Sequence, residues 1–344
     1  MAAETGIEWA DATFSPWRGC QTAGPECDHC YAETTSKRNP AVLGKWGSVG
    51  SGGTRVVAAE SYWRQPLLWN ADAARHTIHD YASPGGRVMK RRRVFCASIS
   101  DVFEDWKGPM RDSQSRPMFF CMCGLWLSAP CEKCEESWPL TMNDVRKRLF
   151  WVIDRTPNLD WMLLTKRPQN IKRLMPEINP SGNLDPIAST PYGHPMRKFR
   201  SNVWLGTTAG TQAMAEKRVD ELVKCRKLAP VLFVSAEPLL EQVDFSPWLS
   251  SIDWLIVGGE SGAQARPMDP AWVRSARDQA VAAGVPFHFK QWGEFIDPHP
   301  SELHLSTARL VDFNGLKLQR IGKKAAGRLL DGCEWNEFPS TDVV

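Results

Sequence analysis

Three cysteines stand close together in the run Arg18-Gly19-Cys20-Gln21-Thr22-Ala23-Gly24-Pro25-Glu26-Cys27-Asp28-His29-Cys30-Tyr31-Ala32-Glu33, with six residues in the first gap and two in the second. Thiolates hold iron–sulfur clusters, normally one cysteine to each iron, so three thiols with no fourth nearby leave one iron of a four-iron cluster open to a substrate or cofactor. Gly24-Pro25 favours a tight turn inside the loop, and the two-residue gap lets Cys27 and Cys30 face one point. Two other readings stay open: a zinc knuckle completed by His29 or a remote residue, and three unrelated thiols.

A second thiol group follows. Cys121-Met122-Cys123 is separated by seven residues from Cys131-Glu132-Lys133-Cys134. Two such pairs can close a four-thiolate site, for which zinc is the common structural occupant; an auxiliary iron–sulfur cluster and no metal at all are the alternatives. Phe119, Phe120, Trp126 and Trp138 lie near it, among Arg111, Arg116, Lys133, Arg146, Lys147 and Arg148. Aromatic rings between cations can stack bases and meet phosphates. The same residues also describe a metal-pinned mini-core with a solvated rim. Cys96, Cys225 and Cys333 stand alone and read as packing residues.

The elements that position these groups are legible as short apolar runs. Arg93–Ser98, Trp161–Thr165, Val203–Thr207, Val231–Ser235, Trp254–Gly258 and Pro286–Lys290 are almost continuously apolar, the pattern of strands buried on both faces of a parallel sheet. Helical patterns lie between them, from Thr211 to Leu228 and from Pro270 to Ala283, the second with proline at its start and Gly284 as its stop. The alternation predicts an α/β fold, either a barrel or an open doubly wound sheet, and the favoured form is a partial or complete (β/α) TIM-like barrel with a cysteine-rich insertion. In such barrels the functional groups sit at the carboxyl ends of the strands. Those ends supply Ser98, Ser100 and Asp101, then Thr165, Lys166 and Arg167, then Thr207 and Thr208, then Ser235 and Glu237, then Glu260 and Ser261, then Lys290 and Gln291. Each alone could be a turn or cap residue; together they form a polar ring over an apolar barrel.

The expected domain limits are 1–110 for the first part of the barrel with the cysteine loop and 111–148 for the cysteine-rich insertion. Residues 149–296 complete the barrel, and 297–344 form an extension that packs back on it.

The motifs resemble a known family. The C-x6-C-x2-C-Tyr-Ala loop follows Ile7-Glu8-Trp9-Ala10-Asp11-Ala12-Thr13-Phe14-Ser15-Pro16-Trp17. Later come Leu164-Thr165-Lys166-Arg167-Pro168, Ser235-Ala236-Glu237-Pro238-Leu239-Leu240, Gly258-Gly259-Glu260-Ser261-Gly262, Phe287-His288-Phe289-Lys290-Gln291-Trp292-Gly293 and Gly327-Arg328-Leu329-Leu330-Asp331-Gly332. Together, over nearly the whole chain, they resemble the three-cysteine-motif proteins common in phages and mobile elements, themselves similar to radical S-adenosylmethionine (SAM) enzymes. The usual spacing in those enzymes is C-x3-C-x2-C with an aromatic residue before the last cysteine. Here the first gap is longer, His29 fills the aromatic slot and Tyr31 follows.

The resemblance implies a radical SAM barrel with Cys20, Cys27 and Cys30 on a [4Fe-4S] cluster. It also implies a ring that holds SAM through carboxylates for its amino group, a Lys or Arg for its carboxylate and hydroxyls for its ribose. His29, Tyr31, Ser98, Ser100, Asp101, Thr165, Lys166, Thr207, Ser235, Glu237 and Glu260 are the candidates. The family's Gly-Gly-Glu segment comes soon after the cluster, whereas Gly258-Gly259-Glu260 lies near the far end of this barrel. Ser98, Ser100 and Asp101 are therefore the expected substitutes for the amine contact.

Bulk properties constrain the rest. A net charge of +3 over 344 residues neither demands nor excludes nucleic acid. The start of the chain lacks a basic, apolar leader and no apolar run approaches bilayer length, so a cytoplasmic location is expected, in the host cell if a phage encodes the chain. Lys90-Arg91-Arg92-Arg93 and Arg197-Lys198-Phe199-Arg200 are candidate phosphate contacts, and the Pro/Gly/Ser-rich stretch 178–195 reads as an exposed loop.

The first functional expectation is a radical SAM enzyme with an electron donor as partner. Its cluster cleaves SAM to methionine and a 5′-deoxyadenosyl radical that takes hydrogen from a nucleobase, such as a hypermodified thymidine in phage DNA. The second is a metal-stapled nucleic-acid-binding or partner-docking protein without radical chemistry. A third is a hydrolase with Asp101, Glu237 and Glu260 around a divalent ion.

Overall fold

The computed structural model describes residues 5–81, 91–121, 126–129, 131–132, 137–177, 199–297 and 310–340. Seven parallel strands form the main sheet: β1 (Ala12–Thr13), β2 (Arg92–Cys96), β3 (Leu159–Thr165), β4 (Val203–Thr208), β5 (Val231–Ala236), β6 (Trp254–Gly258) and β7 (Phe287–Gln291). They neighbour one another in chain order. Crossovers that all proceed in one direction share a hand, which puts the helices on one face and curls the sheet around the other. The result is an open half-barrel: among the described residues β1 and β7 remain its edges, so the partial form of the expected barrel is the one seen.

The period-two alternation of strands sorts the side chains. Val94, Leu163, Leu205, Leu232, Val234, Leu255 and Val257 point outward into the core shared with the helices. Phe95, Met162, Trp204, Phe233, Trp254 and Ile256 point inward, where Trp9 joins them and Phe338 packs against them. Aromatic rings thus plug the half-barrel, with Trp9 at 4.7 Å from Phe95 and edge-on to Trp254. Continuing the same alternation upward brings Leu164, Ser235 and Lys290 to the inner face at the carboxyl ends.

Helix α1 (Tyr31–Arg38) follows the cysteine loop, and the helices on the outer face are α2 (Gln65–Tyr81), α3 (Met142–Asp154), α4 (Gln212–Val223) and α5 (Pro270–Ala282). Their starts are sequence-encoded. Thr141 and Asp144 form a reciprocal capping box on α3, Thr211 caps α4, and Asp269 caps α5 ahead of Pro270. Gly284, at φ +67°, ends α5 where a side chain would be strained. Val145, Leu149, Phe150 and Ile153 of α3 enter the main core, although α3 begins inside the cysteine-rich stretch.

Three small sheets flank the barrel among the described residues. In one, Arg55–Val57 pairs with Trp17–Arg18 and Met110–Arg111. Phe119–Cys121 pairs with Trp126–Leu127 and Ser137–Pro139, and Leu316–Arg320 pairs with Phe295–Ile296 and Leu310–Phe313. No helix among the described residues is long and apolar enough to cross a membrane.

Candidate active site

The cysteine loop is shaped by its own sequence and then clamped. Gly19, at φ +95°, turns the chain into Cys20 in a conformation that suits glycine, and a Cβ there would meet the Thr54 carbonyl at 2.4 Å. Pro25 opens a short 3₁₀ turn, Pro25–Cys27, as the Gly24-Pro25 pair predicts. Cys30 then stands at the start of α1, where the positive end of a helix dipole favours negative charge.

Four cations hold the loop carbonyls, each from beyond the loop. Arg167 donates to Gln21 O at 2.9 Å, Arg218 to Ala23 O at 2.9 Å and Arg266 to Pro25 O at 3.0 Å. Lys166 Nζ lies 3.5 Å from Glu26 O. Behind these contacts sit carboxylates. Arg218 pairs with the fully buried Glu26, which also accepts from Gly210 N at 3.1 Å. Arg266 forks onto Glu260, and Arg167 pairs with Asp101 at 2.7 Å. Gly24 leaves room for this packing: a Cβ would lie 2.3 Å from Arg218 Nη2, which would have to shift off the loop.

A cavity of about 490 Å³ opens at the carboxyl ends of the strands, in the size range of small-molecule sites. Cys20, Cys27 and Cys30 all line it, together with Tyr31, Ser98, Ser100, Asp101, Thr165, Lys166, Ser235 and Glu237. These eight expected ring residues are thereby brought to one space with the three thiols. His29, Thr207 and Glu260 are not among its lining. His29 Nδ1 sits 3.1 Å from Glu260 Oε2, Glu260 is held by Arg266, and the buried Thr207 hydroxyl donates to Thr165 O at 2.8 Å.

Several polar groups are already committed. Asp101 accepts from Phe103 N, the Thr165 hydroxyl, Lys166 N and Arg167 Nη1, at 2.9, 2.7, 3.2 and 2.7 Å. Its carboxylate is saturated, and its task is to fix the end of β3. Ser100 donates to Trp17 O at 2.8 Å, and Tyr31 donates to Ser98 O at 2.6 Å. Glu237 Oε1 accepts from Trp9 Nε1 at 2.9 Å and from Ser235 at 3.2 Å, while Oε2 pairs with Lys290 Nζ at 2.5 Å.

Burial first, and the Glu104 carboxylate second, push the Cys20 thiol up to about 12, with Arg167 pulling the other way. Cys20 is therefore a thiol until a cation displaces its proton, and metal uptake is linked to proton release. Burial works to neutralise Lys166, yet Cys27, Cys30, Glu26 and Cys20 outweigh it and hold its ammonium form above the ordinary lysine value.

Cys20, Cys27 and Cys30 line one cavity with Lys166 and Arg167, and thiols are the side chains here that could hold an iron–sulfur cluster. Among the described residues no three His, Cys, Asp or Glu side chains converge on a single-ion site.

Lys290, a member of the expected ring, also lines the cavity, whereas Trp46, Glu26, Arg218 and Arg266 are site residues that sequence reasoning left without a role. In the second cysteine group, Cys121 is buried in the central strand of its small sheet and Cys131 is half-buried. Cys123 and Cys134 lie outside the described residues, as do Lys133, the stretch 178–195, Lys90, Arg197 and Lys198. Arg91, Arg93 and Arg200, expected at phosphates, are paired instead with Asp160, Asp11 and Asp154.

Comparison with known proteins places the chain. No curated protein matches it. Among solved structures it is similar to spore photoproduct lyase, in a double mutant with bound AdoMet and dinucleoside spore photoproduct. That alignment has a TM-score of 0.35 and 11% identity, covering 92% of this chain and 70% of the other. A family model described as a protein of unknown function, DUF5131, matches residues 4–119 and 139–339, leaving out the interval that contains the second cysteine group. The chain belongs to the DUF5131 family.

Proposed function

We propose that this protein is a radical SAM enzyme of the phage three-cysteine-motif type. The observation that carries this reading is that Cys20, Cys27 and Cys30 line one cavity at the carboxyl ends of a parallel half-barrel. When bound there, a [4Fe-4S] cluster supplies the electron that cleaves SAM to methionine and a 5′-deoxyadenosyl radical, which abstracts hydrogen from the substrate.

The chain's own residues do the rest. Cys20, Cys27 and Cys30 would hold the cluster. Lys166 supplies a cation for an anionic group beside the thiols, such as the SAM carboxylate. Trp9, Phe95 and Leu164 give the cavity an apolar wall that excludes water from a reactive radical. Glu237, fixed by Trp9, Ser235 and Lys290, keeps an ordered acceptor and an ordered ammonium at the far side.

A nucleobase in DNA is the substrate class we favour, and one in a duplex must be flipped out at a cost of about a few kcal/mol. Zinc at Cys121, Cys123, Cys131 and Cys134 is a separate part of the reading, a staple for the insertion.

Anaerobic purification with iron, sulfide and zinc analysis, then incubation with dithionite and SAM, tests the proposal. About four irons per chain and formation of 5′-deoxyadenosine are expected. Zinc alone, no cleavage and salt-sensitive DNA binding would move the reading to a metal-stapled binding protein.

A further inference from the structure

Arg167 stands just past the carboxyl end of β3, and its guanidinium is turned toward the cysteine loop. Nη1 donates to Cys20 Sγ at 3.8 Å and Nη2 to Gln21 O at 2.9 Å, so one side chain holds both the first cysteine and the residue after it. Lys166, Arg218 and Arg266 reach carbonyls of the loop; Arg167 reaches a sulfur as well. Its orientation is fixed from behind. Asp101 accepts from Nη1 at 2.7 Å, and the buried Glu104, itself forked onto Arg55, lies 4.0 Å from Nη2. Asp101 is in turn held by Phe103 N, the Thr165 hydroxyl and Lys166 N, so the donor cannot swing away without disturbing a saturated carboxylate. The Cys20 thiol donates to Gln21 O at 3.5 Å. Once a metal displaces that proton the sulfur is an acceptor only, and Arg167 is already aimed at it while still satisfying Gln21 O.

We propose that Arg167 keeps its N–H on the Cys20 sulfur when Cys20, Cys27 and Cys30 hold a cluster, and that this bond raises the cluster's reduction potential. This rests on the cluster reading above and makes Arg167 a positioning and tuning residue. A cluster gains one negative charge when it accepts one electron from a low-potential donor, and no bond to the protein breaks. A hydrogen bond to a ligand sulfur and a nearby guanidinium stabilise the reduced form more than the oxidised form, which moves the potential upward. The planar fork of arginine meets a carboxylate, a carbonyl and a sulfur at once, whereas a lysine ammonium of the same charge is a compact point that cannot span all three.

The test uses the full chain, reconstituted anaerobically with iron and sulfide and titrated with dithionite while the reduced cluster is followed by electron paramagnetic resonance. When the arginine guanidinium is labelled with ¹⁵N, pulsed spectra of the reduced wild type are expected to show a weak ¹⁵N coupling that the unlabelled chain lacks. Arg167→Lys keeps the charge and removes the fork. It is expected to bind iron, to lose that coupling and to titrate at a more negative potential. No arginine coupling in the loaded wild type, a coupling that survives in Arg167→Lys, or a wild-type potential in that variant overturns this proposal alone. If Arg167→Lys binds too little iron to titrate, the labelled wild type carries the test: the coupling supports the proposal and its absence overturns it. A wild-type chain that binds no iron overturns the cluster reading, and this proposal with it.

Discussion

Arg218 places Nη1 3.0 Å from both carboxylate oxygens of Glu26, joining the middle of α4 to the residue just before the second cysteine of the loop. The partners are 192 positions apart and both are buried, so the pair ties the cysteine loop to the barrel wall. Breaking one partner of a buried pair strands a charge and costs about 3–5 kcal/mol, whereas apolar replacement of both is close to neutral. Glu26→Gln and Arg218→Met should each lower the urea midpoint, and Glu26→Leu with Arg218→Met should regain much of it. The double variant should still load iron poorly, because Ala23 O and Gly210 N have lost their tethers. Full iron uptake by it would show that the pair serves stability alone.

Each loop cysteine is irreplaceable in this account. Cys20→Ala, Cys27→Ala and Cys30→Ala should each abolish 5′-deoxyadenosine formation and cut iron content, with near-native circular dichroism. Cys225→Ala, a buried packing residue on the helix side, should leave both unchanged. Unchanged SAM cleavage in any of the three loop variants would end the idea.

Gly206 is the small residue that lets the inner aromatic plug exist. A Cβ at this position would lie 2.3 Å from the Phe233 ring. Gly206→Ala should therefore destabilise by about 1–3 kcal/mol, the usual cost of overpacking, and should do so in the iron-free chain. Equilibrium denaturation of the two proteins decides it.

Asp160, at the amino end of β3, gives a pH dependence remote from the cysteines. Burial raises its pKa to about 6, against Arg91 and Arg93, which lower it, while Asp11 adds to the rise. A carboxyl raised in the fold favours folding most below its ordinary pKa, and that contribution fades as pH climbs through about 6. Asp160→Asn removes the titration. The thermal midpoint of the variant relative to wild type should rise between pH 4 and 6 and then level off, and a pH-independent difference would contradict the assignment.

Much of this architecture was readable in the chain because parallel strands buried on both faces leave near-continuous apolar runs. All six predicted runs are strands, within one or two residues at their ends. β1 escaped because two residues, Ala12–Thr13, carry no periodicity. α3 escaped because its pattern begins beside the second cysteine group and was read with it. The polar ring was legible from strand ends, since alternation carries Ser235 and Lys290 inward above Phe233 and His288. Glu260 looked like a ring member, and only the fold shows that Arg266 and His29 occupy its carboxylate. Glu26, Arg218 and Arg266 are invisible as a set, because the Glu26–Arg218 pair spans 192 positions and the pair of Arg266 with Asp28 spans 238, and neither leaves a local signal. Nothing local in the sequence separates Trp46, which lines the cavity, from the other fifteen tryptophans.

The most direct test is to quantify 5′-deoxyadenosine and methionine by mass spectrometry after anaerobic reconstitution and addition of dithionite and SAM. The account predicts that both form in equal amounts, that dithionite is required, and that neither forms with Cys27→Ala. A chain that takes up iron and sulfide yet releases neither product, or that holds only zinc, would contradict it.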